Sequence, residues 1–255
     1  MKYKIYNLLD NRDIEKNKNI KAVQDNFEIV SGLELTSAEL IDKKFDAIEL
    51  AGGQYESFKS FITAVDWKTS HIDTVDCLVL LKSGKYKPCH LLADSVLHIL
   101  KKMPERVNSQ RPVIVIGNIY FLYSVVTKLA LSGFVEIIVS LTDAEDEMLK
   151  VFEKKIKSFV FNLHIKTVSI NDLTTTEQAG YLLISNFRKE DNQDAYELLT
   201  YFNFLAEGAV FIDCNSINDS YLVEDARKAE IFVIDERAIL DAKYEYLLEI
   251  IKNSP

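Results

Sequence analysis

The apolar positions in the middle of the chain follow the pattern of a strand, a helix and a second strand. Residues 113–116 are an unbroken run of β-branched residues, which is typical of a strand buried on both faces. Apolar residues recur at helical spacing through 121–131, and Gly133 stands where a helix commonly ends. Residues 135–139 predict the second strand. This stretch is therefore predicted to be a βαβ unit, whose first turn is where a Rossmann fold binds a dinucleotide.

Strand and helix patterns alternate along the rest of the chain as well. Further strands are predicted at 1–9, 27–35, 45–50, 75–81, 159–165, 181–185, 209–213 and 231–234, and further helices at 20–27, 36–44, 55–65, 94–102, 144–157, 193–204, 222–229 and 235–251. This alternation predicts an α/β fold with parallel sheets in two lobes. Turn residues between 104 and 111 indicate a boundary, which gives an N-terminal α/β domain at 1–103 and a Rossmann-like domain at 104–255. The last helix, within 235–255, is predicted to pack back onto the first domain.

Composition and charge exclude several classes of function. The net charge of −9 and the scattered 30 basic residues give no nucleic-acid footprint. No apolar run approaches the length of a membrane span, and no signal sequence is recognisable at the N-terminus. The three cysteines and four histidines have neither disulfide-like nor metal-ligand spacing, so we expect no metal and a reducing, cytoplasmic location.

The turn after the first strand of the βαβ unit departs from a dinucleotide-binding fingerprint. It reads Gly117-Asn118-Ile119-Tyr120-Phe121-Leu122, so only the first of three glycines is present. Tyr120 and Phe121 are bulky where phosphate oxygens need space. Two interpretations remain: the βαβ unit is a scaffold only, or it binds a dinucleotide through few phosphate contacts.

Three stretches, in this order, resemble the shikimate dehydrogenase family. FDAIELAGGQYESFK (45–59) resembles the family's strand leading into a P-x-K motif. VDCLVLLKSGKYKPCHLLADSVLHIL (75–100) resembles its A-V-N-T-L-V strand, hairpin and N-T-D-G-x-G run. VFIDCNSINDSYLVEDARKAEIFVIDERAILDAKYEY (210–246) resembles its strand, T-x-L-L-x-x-A helix, strand and closing M-L-x-x-Q-A-x-x-F helix. The resemblance implies the family's two-domain fold and an NADP-dependent oxidoreductase origin.

Transferred residue by residue, the resemblance places Lys59 at the family's catalytic lysine. The family's partner aspartate falls on Leu92, with His90 in place of its asparagine, and Asp94 is the nearest carboxylate that could substitute. The substrate-binding asparagine becomes Asp76. We therefore take Lys59 and Asp94 as the candidate catalytic pair, and Asp76 and His90 as candidate cleft residues.

The remaining signatures are also replaced. The substrate-contacting glutamine of the last helix is assigned to Asp241, and the S-x-S loop that binds the substrate carboxylate has no counterpart at residues 8–16. The N-R-T motif that holds the NADP 2′-phosphate becomes Ser140-Leu141-Thr142, so the candidate cofactor contacts are Gly117, Asn118, Ser140 and Thr142.

These replacements predict a protein that has lost NADP-dependent shikimate dehydrogenase activity and acts as a binding or regulatory pseudoenzyme. No cofactor is then expected, and the partner is a small molecule or a protein in the inter-domain cleft. The alternative is a divergent NAD(P)-dependent oxidoreductase with another small substrate. A third class, a structural interaction module, stays open. The sequence does not indicate an oligomeric state.

Overall fold

The structure is a computed structural model that describes residues 2–9, 11–31, 35–62, 74–142, 146–158, 160–175, 180–189, 193–214 and 221–253. These residues group into two compact units. Unit 1 comprises Met1–Ser95 and Leu240–Pro255, and unit 2 comprises Val96–Ile239. The division falls within two helices, whereas the turn residues of the sequence indicate a boundary between residues 103 and 104.

Unit 1 is built on a five-stranded sheet in the order β2-β1-β3-β4-β5. Its strands are β1 (Tyr3–Asn7), β2 (Phe27–Val30), β3 (Ala47–Glu49), β4 (Cys77–Leu80) and β5 (Tyr86–Cys89). Its helices are α1 (Asn11–Lys18), α2 (Lys21–Asn26), α3 (Ser37–Lys43), a 3-10 helix (Gln54–Phe61), α4 (Leu91–Lys101) and α10 (Glu236–Asn253), of which α4 and α10 continue into unit 2.

The sheet of unit 1 is mixed, whereas the parallel sheet predicted for the Rossmann-like domain is that of unit 2. β1 pairs in parallel with β2 and β3, but β3 with β4 and β4 with β5 are antiparallel. A tight hairpin joins β4 to β5, with Gly84 at φ +80° and a hydrogen bond from the Leu81 N–H to the Lys85 carbonyl at 2.8 Å. A connection this short can join only antiparallel neighbours.

Side chains from alternate positions of these strands form two hydrophobic clusters, one on each face. One face buries Ile5, Ala47 and Cys77 together with Tyr244 and Leu247 of α10. The other face buries a second set: Tyr6, Ile48 and Leu78 with Leu40 of α3 and Phe58 of the 3-10 helix. The period-2 pattern of each strand therefore decides which side chains meet α10.

Unit 2 contains a six-stranded sheet, all parallel, in the order β11-β10-β9-β6-β7-β8. Its strands are β6 (Val113–Gly117), β7 (Glu136–Leu141), β8 (His164–Thr167), β9 (Gly180–Ser185), β10 (Leu205–Asp213) and β11 (Phe232–Ile234). Its helices are α5 (Ile119–Leu131), α6 (Asp146–Lys157), α7 (Ile170–Leu173), α8 (Gln193–Leu199) and α9 (Tyr221–Lys228). This is the strand order of a doubly wound, Rossmann-type sheet, in which the order of the strands reverses between β6 and β9. The predicted α/β, Rossmann-like fold class is confirmed.

Three local predictions differ from the structure for physical reasons. Residues 11–18, where the sequence predicts neither a strand nor a helix, form α1, which is anchored by the buried Ile14. The helix expected at 55–65 is a 3-10 helix in the described residues, because its buried Tyr55 and Phe58 are three positions apart, the repeat of that helix. The strand expected at 159–165 begins only at His164, since a turn with Asn162 at φ +59° precedes it. Residues 63–65 of the predicted helix lie outside the described part of the chain.

Candidate functional site

Polar side chains of unit 1 converge at one edge of its sheet. Asn7 and Glu49 are the last residues of the parallel strands β1 and β3 and are opposite each other in register. Asp76 directly precedes β4, which runs antiparallel to β3 and therefore starts at the same edge. His90 follows β5 there. Ligands of open α/β sheets bind outside the carboxyl ends of the strands, so this edge is the candidate site of unit 1. We call Asn7, Glu49, Asp76, Lys243 and Tyr244 the edge cluster.

Glu49 is the centre of the edge cluster. Its side chain projects from the same face as Ala47, against α10, and is fully buried. Its carboxylate accepts a hydrogen bond from Asn7 Nδ2 at 2.6 Å and another from the Tyr244 hydroxyl at 2.9 Å, and it pairs with Lys243 Nζ at 2.6 Å. Three donors on one carboxylate offset much of the cost of burying its charge.

Lys243 brings a positive charge from α10 to this cluster. Only 11% of its side chain is exposed. Burial opposes its charge, but the carboxylates of Glu49 and Asp76 outweigh burial and raise the pKa of Lys243. The amine therefore stays protonated at neutral pH and acts as a cation rather than as a nucleophile.

Asp76 caps α4 from outside that helix. Its two oxygens accept hydrogen bonds from the backbone N–H groups of Leu91 at 2.6 Å and Leu92 at 2.8 Å. The residue is half-buried, yet burial of its carboxyl raises the pKa of Asp76 to about 6, while Lys243 and the two N–H groups oppose this rise. A carboxyl that titrates near neutrality is suited to acid–base chemistry or to a response to pH.

The predicted catalytic residues of unit 1 occupy two different elements. Lys59 lies on the 3-10 helix, 40% exposed, and pairs with Glu56 Oε1 at 2.5 Å. Asp94 is in the first turn of α4, where its N–H bonds the carbonyl of the buried His90 at 2.9 Å and its charge helps to raise the pKa of Asp76. The catalytic pairing of Lys59 with Asp94 stays a prediction.

Sequence reasoning missed two central members of the cluster, Glu49 and Lys243. The signal for Glu49 is a charged residue inside the otherwise apolar run Ala-Ile-Glu-Leu of β3. The signal for Lys243 is the spacing of M-L-x-x-Q itself, which places the glutamine position on Lys243 when counted from Ile239-Leu240. Asp241, chosen from the sequence, is half-buried on α10, two residues before the lysine that bonds Glu49.

At the corresponding edge of unit 2, side chains of the protein fill the space around the first turn. Gly117 ends β6 at the point where the strand order reverses. A Cβ at Gly117 would lie 2.0 Å from Asn186 Oδ1 and 2.6 Å from Phe121 Cδ1. The glycine is thus needed for a close approach within the protein, by the side chain that follows β9.

Asn118 and the two aromatic residues complete this turn. The Asn118 side chain is the N-cap of α5 and accepts a hydrogen bond from the Phe121 N–H at 3.0 Å, so that donor is already satisfied. Phe121 is 5% exposed, whereas Tyr120 is 46% exposed. Leu122 is fully buried at the position of the fingerprint's third glycine, which in other proteins lets helix and strand pack closely.

The two other candidate cofactor residues lie at the end of β7. Ser140 is fully buried, and among the described residues its hydroxyl has no hydrogen-bond partner. Thr142 is half-buried, and its N–H bonds the Gly117 carbonyl at 3.2 Å. Ser140, Thr142, Gly117 and Asn118 therefore share one sheet edge, but Leu141 offers no cation for a 2′-phosphate.

Within the described ranges, no group of three or more His, Cys, Asp or Glu side chains is arranged to hold a metal ion. The helices of the same ranges include none with the length and apolar character needed to cross a membrane.

An all-parallel sheet with reversed strand order together with a second, mixed sheet defines a class of two-domain α/β folds with a Rossmann-like sheet. No protein-family model and no curated protein matches the sequence. Solved structures do match: shikimate 5-dehydrogenase from Listeria monocytogenes, in complex with shikimate and NAD, has a TM-score of 0.76 at 12% identity, covering 98% of this chain and 91% of that one.

Two further structures agree with this fold. Quinate dehydrogenase from Corynebacterium glutamicum, in complex with NAD, has a TM-score of 0.74 at 11% identity, covering 98% of this chain and 93% of that one. Shikimate 5-dehydrogenase from Thermus thermophilus, in complex with NADP(H) and shikimate, has a TM-score of 0.71 at 14% identity, with coverages of 98% and 93%. The chain has the fold of shikimate dehydrogenases, as the sequence resemblance predicted.

Proposed function

We propose that this protein is a shikimate dehydrogenase-like binding protein that does not carry out NADP-dependent shikimate oxidation. The observation that carries the proposal is the crowding of Gly117, where a Cβ would be 2.0 Å from Asn186 Oδ1. In a dinucleotide-binding fingerprint, the first glycine permits the tight turn and the second lets the pyrophosphate approach the backbone, and the second position is Ile119 here. The amide of Asn186 and the ring of Phe121 already occupy the space beside Gly117, which leaves less room for a ligand at this turn.

The edge of unit 1 supports the same proposal. Lys243 is held by Glu49 at 2.6 Å, so this cation already has an internal counter-ion. Asp76 and Asp94 add negative charge beside it. A ligand carboxylate such as that of shikimate would meet repulsion here, which disfavours an anionic acid as the ligand.

Loss of the contact to the 2′-phosphate should also weaken the binding of NADP(H). A charge-assisted hydrogen bond of this kind contributes about 1.5–3 kcal/mol, and the stretch Ser140-Leu141-Thr142 has no arginine to supply it. Weak binding of NADP(H) is therefore expected even where the turn adjusts.

Calorimetric titration with NADPH and NADH tests the proposal, with shikimate 5-dehydrogenase from Thermus thermophilus as the positive control for NADPH and quinate dehydrogenase from Corynebacterium glutamicum as the positive control for NADH. We expect no binding heat for this chain and no turnover of shikimate with either cofactor. Native mass spectrometry of the purified protein should show a bound small molecule that is not a nicotinamide nucleotide. A micromolar dissociation constant for NADPH would contradict the proposal, and a protein that carries no ligand would favour a structural interaction module.

One observation favours a second candidate, a divergent NAD(P)-dependent oxidoreductase. Asp76, with a pKa of about 6, lies close to Lys243, and such a carboxyl can exchange protons near neutral pH. Turnover with any ketone or alcohol that Lys59→Ala abolishes would establish this candidate and remove the first one.

A further inference from the structure

Two of the three cysteines lie opposite each other in unit 1. Cys77 is the first residue of β4, Cys89 is the last residue of β5, and the register pairs them directly. Both are buried in the same hydrophobic cluster, so both side chains project from the same face of the sheet. Directly opposed residues of antiparallel strands have Cα atoms about 4.5–5.5 Å apart, a separation that a disulfide can span.

The backbone keeps this pair of residues together. The Asp76 N–H bonds the Cys89 carbonyl at 3.2 Å, beside the pair, and the tight turn at Gly84 closes the other end of the hairpin. Both cysteines are reduced thiols in the structure. Formation of a bond between the two Sγ atoms therefore needs little rearrangement of the strands.

The two thiols differ in how accessible they are to solvent and to a small oxidant. Burial raises the pKa of Cys77 well above its usual range, the Cys89 thiol adds to this rise, and Lys243 opposes it. Cys77 is fully buried, whereas Cys89 is 7% exposed and belongs to β5, the last strand of the sheet. A small oxidant would therefore reach Cys89 first, with Cys77 as the resolving thiol.

We propose that Cys77 and Cys89 are a redox-modification site that forms a reversible disulfide with a low-molecular-weight disulfide, such as oxidised glutathione, as the oxidant. Cys89 loses its proton and attacks one sulfur of the oxidant, which releases one thiol and leaves a mixed disulfide on Cys89. Cys77 then loses its proton and attacks Cys89 Sγ, which releases the second thiol. Two cysteines lose two electrons and two protons, and one disulfide becomes two thiols.

The crosslink would act on the edge cluster. Cys77 is paired in register with Glu49 on its other side, and Asp76 is its neighbour in the chain. A bond from Cys77 to Cys89 would fix the backbone on which Asp76 caps α4. This inference stands on the strand register and does not depend on the proposed function.

Peptide mapping of the intact protein tests it. The reduced protein is incubated with oxidised glutathione, alkylated with N-ethylmaleimide under denaturing conditions and digested with trypsin without reduction. Lys82 and Lys85 lie between the two cysteines, so trypsin separates them unless the disulfide joins the fragments. We expect a linked pair of peptides carrying Cys77 and Cys89, which disappears on reduction, and alkylation of Cys214 alone.

Cys214 is the matched control, because it is buried in unit 2 and unit 2 contains no other cysteine. Cys214→Ser should leave the linked peptides unchanged, and Cys77→Ser should accumulate a glutathione adduct on Cys89. Alkylation of all three cysteines after oxidation would overturn the proposal. Linked peptides that involve Cys214, or that form only between two chains, would overturn it as well. If a variant does not fold, the peptide map of the wild-type protein alone still tests the proposal.

Discussion

The two sheet edges differ in the side chains that cap the neighbouring helix and pack at the strand ends. In unit 1, charged groups meet: Glu49 and Lys243 form a buried ion pair, and the Asp76 carboxylate caps α4 from a separate segment. At the first turn of unit 2, the corresponding side chains are uncharged amides. Asn118 is the N-cap of α5, and Asn186 lies against Gly117. The edge cluster of unit 1 should therefore respond more strongly to loss of a charge or to pH than the first turn of unit 2 does.

The largest expected effect is from Lys243→Met. It leaves the fully buried Glu49 without its cation, which in buried ion pairs costs about 3–5 kcal/mol in the free energy of unfolding. Urea unfolding followed by circular dichroism measures this loss. Lys59→Met is the matched control, because its pair with Glu56 is exposed and should contribute within about 1 kcal/mol. Equal effects of the two substitutions would remove the distinction between buried and surface pairs.

The next effect is steric and belongs to unit 2. Gly117→Ala places a methyl group 2.0 Å from Asn186 Oδ1, and overpacking of this kind costs about 1–3 kcal/mol in unfolding free energy. In an Asn186→Ala background the cost should fall, because one of the two crowding side chains is shortened while Phe121 remains. A double-mutant cycle measures this coupling. Independent, additive effects would show that Asn186 does not press on the glycine.

The third expected effect is a dependence of stability on pH at the edge of unit 1, through Asp76. Asp76 has a folded pKa of about 6, raised from 3.8, so its neutral form is the one that folding favours. The stabilisation it contributes is fully present below about pH 4 and is lost as pH rises through about 6, an effect of about 1–2 kcal/mol after allowance for its partial exposure. The difference in stability between wild type and Asp76→Asn, measured from pH 4 to 7 by urea unfolding, should follow this curve.

Glu39 is the control, because its contribution to stability changes with pH in the opposite direction to that of Asp76. Its hydrogen bonds with Thr36 lower its pKa, so its contribution is present above its unfolded pKa and is lost as pH falls. A difference curve for Asp76→Asn with the same direction as that for Glu39→Gln would show that burial does not dominate at Asp76.

The smallest effect concerns the cap of α5. Asn118→Ala removes the acceptor for the Phe121 N–H and should cost about 1 kcal/mol in unfolding free energy. Because an amide does not titrate, this cost should be the same across the pH range used for Asp76. A cost that changes through pH 6 would mean that a titrating group contributes to this cap.

The elements that could be predicted from the sequence are those whose signals are local. The β6-α5-β7 unit followed from the run of β-branched residues and the helical spacing after it, and the helix predicted from residue 36 is α3, whose N-cap is Thr36, with Glu39 completing a capping box. The edge cluster could not be found in this way, because Glu49 and Lys243 are far apart in sequence, and neither the apolar run around Glu49 nor the motif spacing at Lys243 indicates that the two side chains meet. The register of a short strand such as β3 places Glu49 inward, and only the assembled sheet reveals that register.

The bond between Tyr244 and Glu49 joins residues 195 positions apart, and this has a consequence for the order of events during synthesis. Unit 2 is one continuous segment, so it can fold as soon as residue 239 has left the ribosome. The sheet of unit 1 emerges before unit 2, and Glu49 can then bond Asn7, but Lys243 and Tyr244 reach its carboxylate only when α10 has emerged after unit 2. The sheet of unit 1 is therefore completed only after unit 2 has emerged, and a chain truncated before Lys243 should have a sheet that proteases digest faster than the same sheet in the full chain.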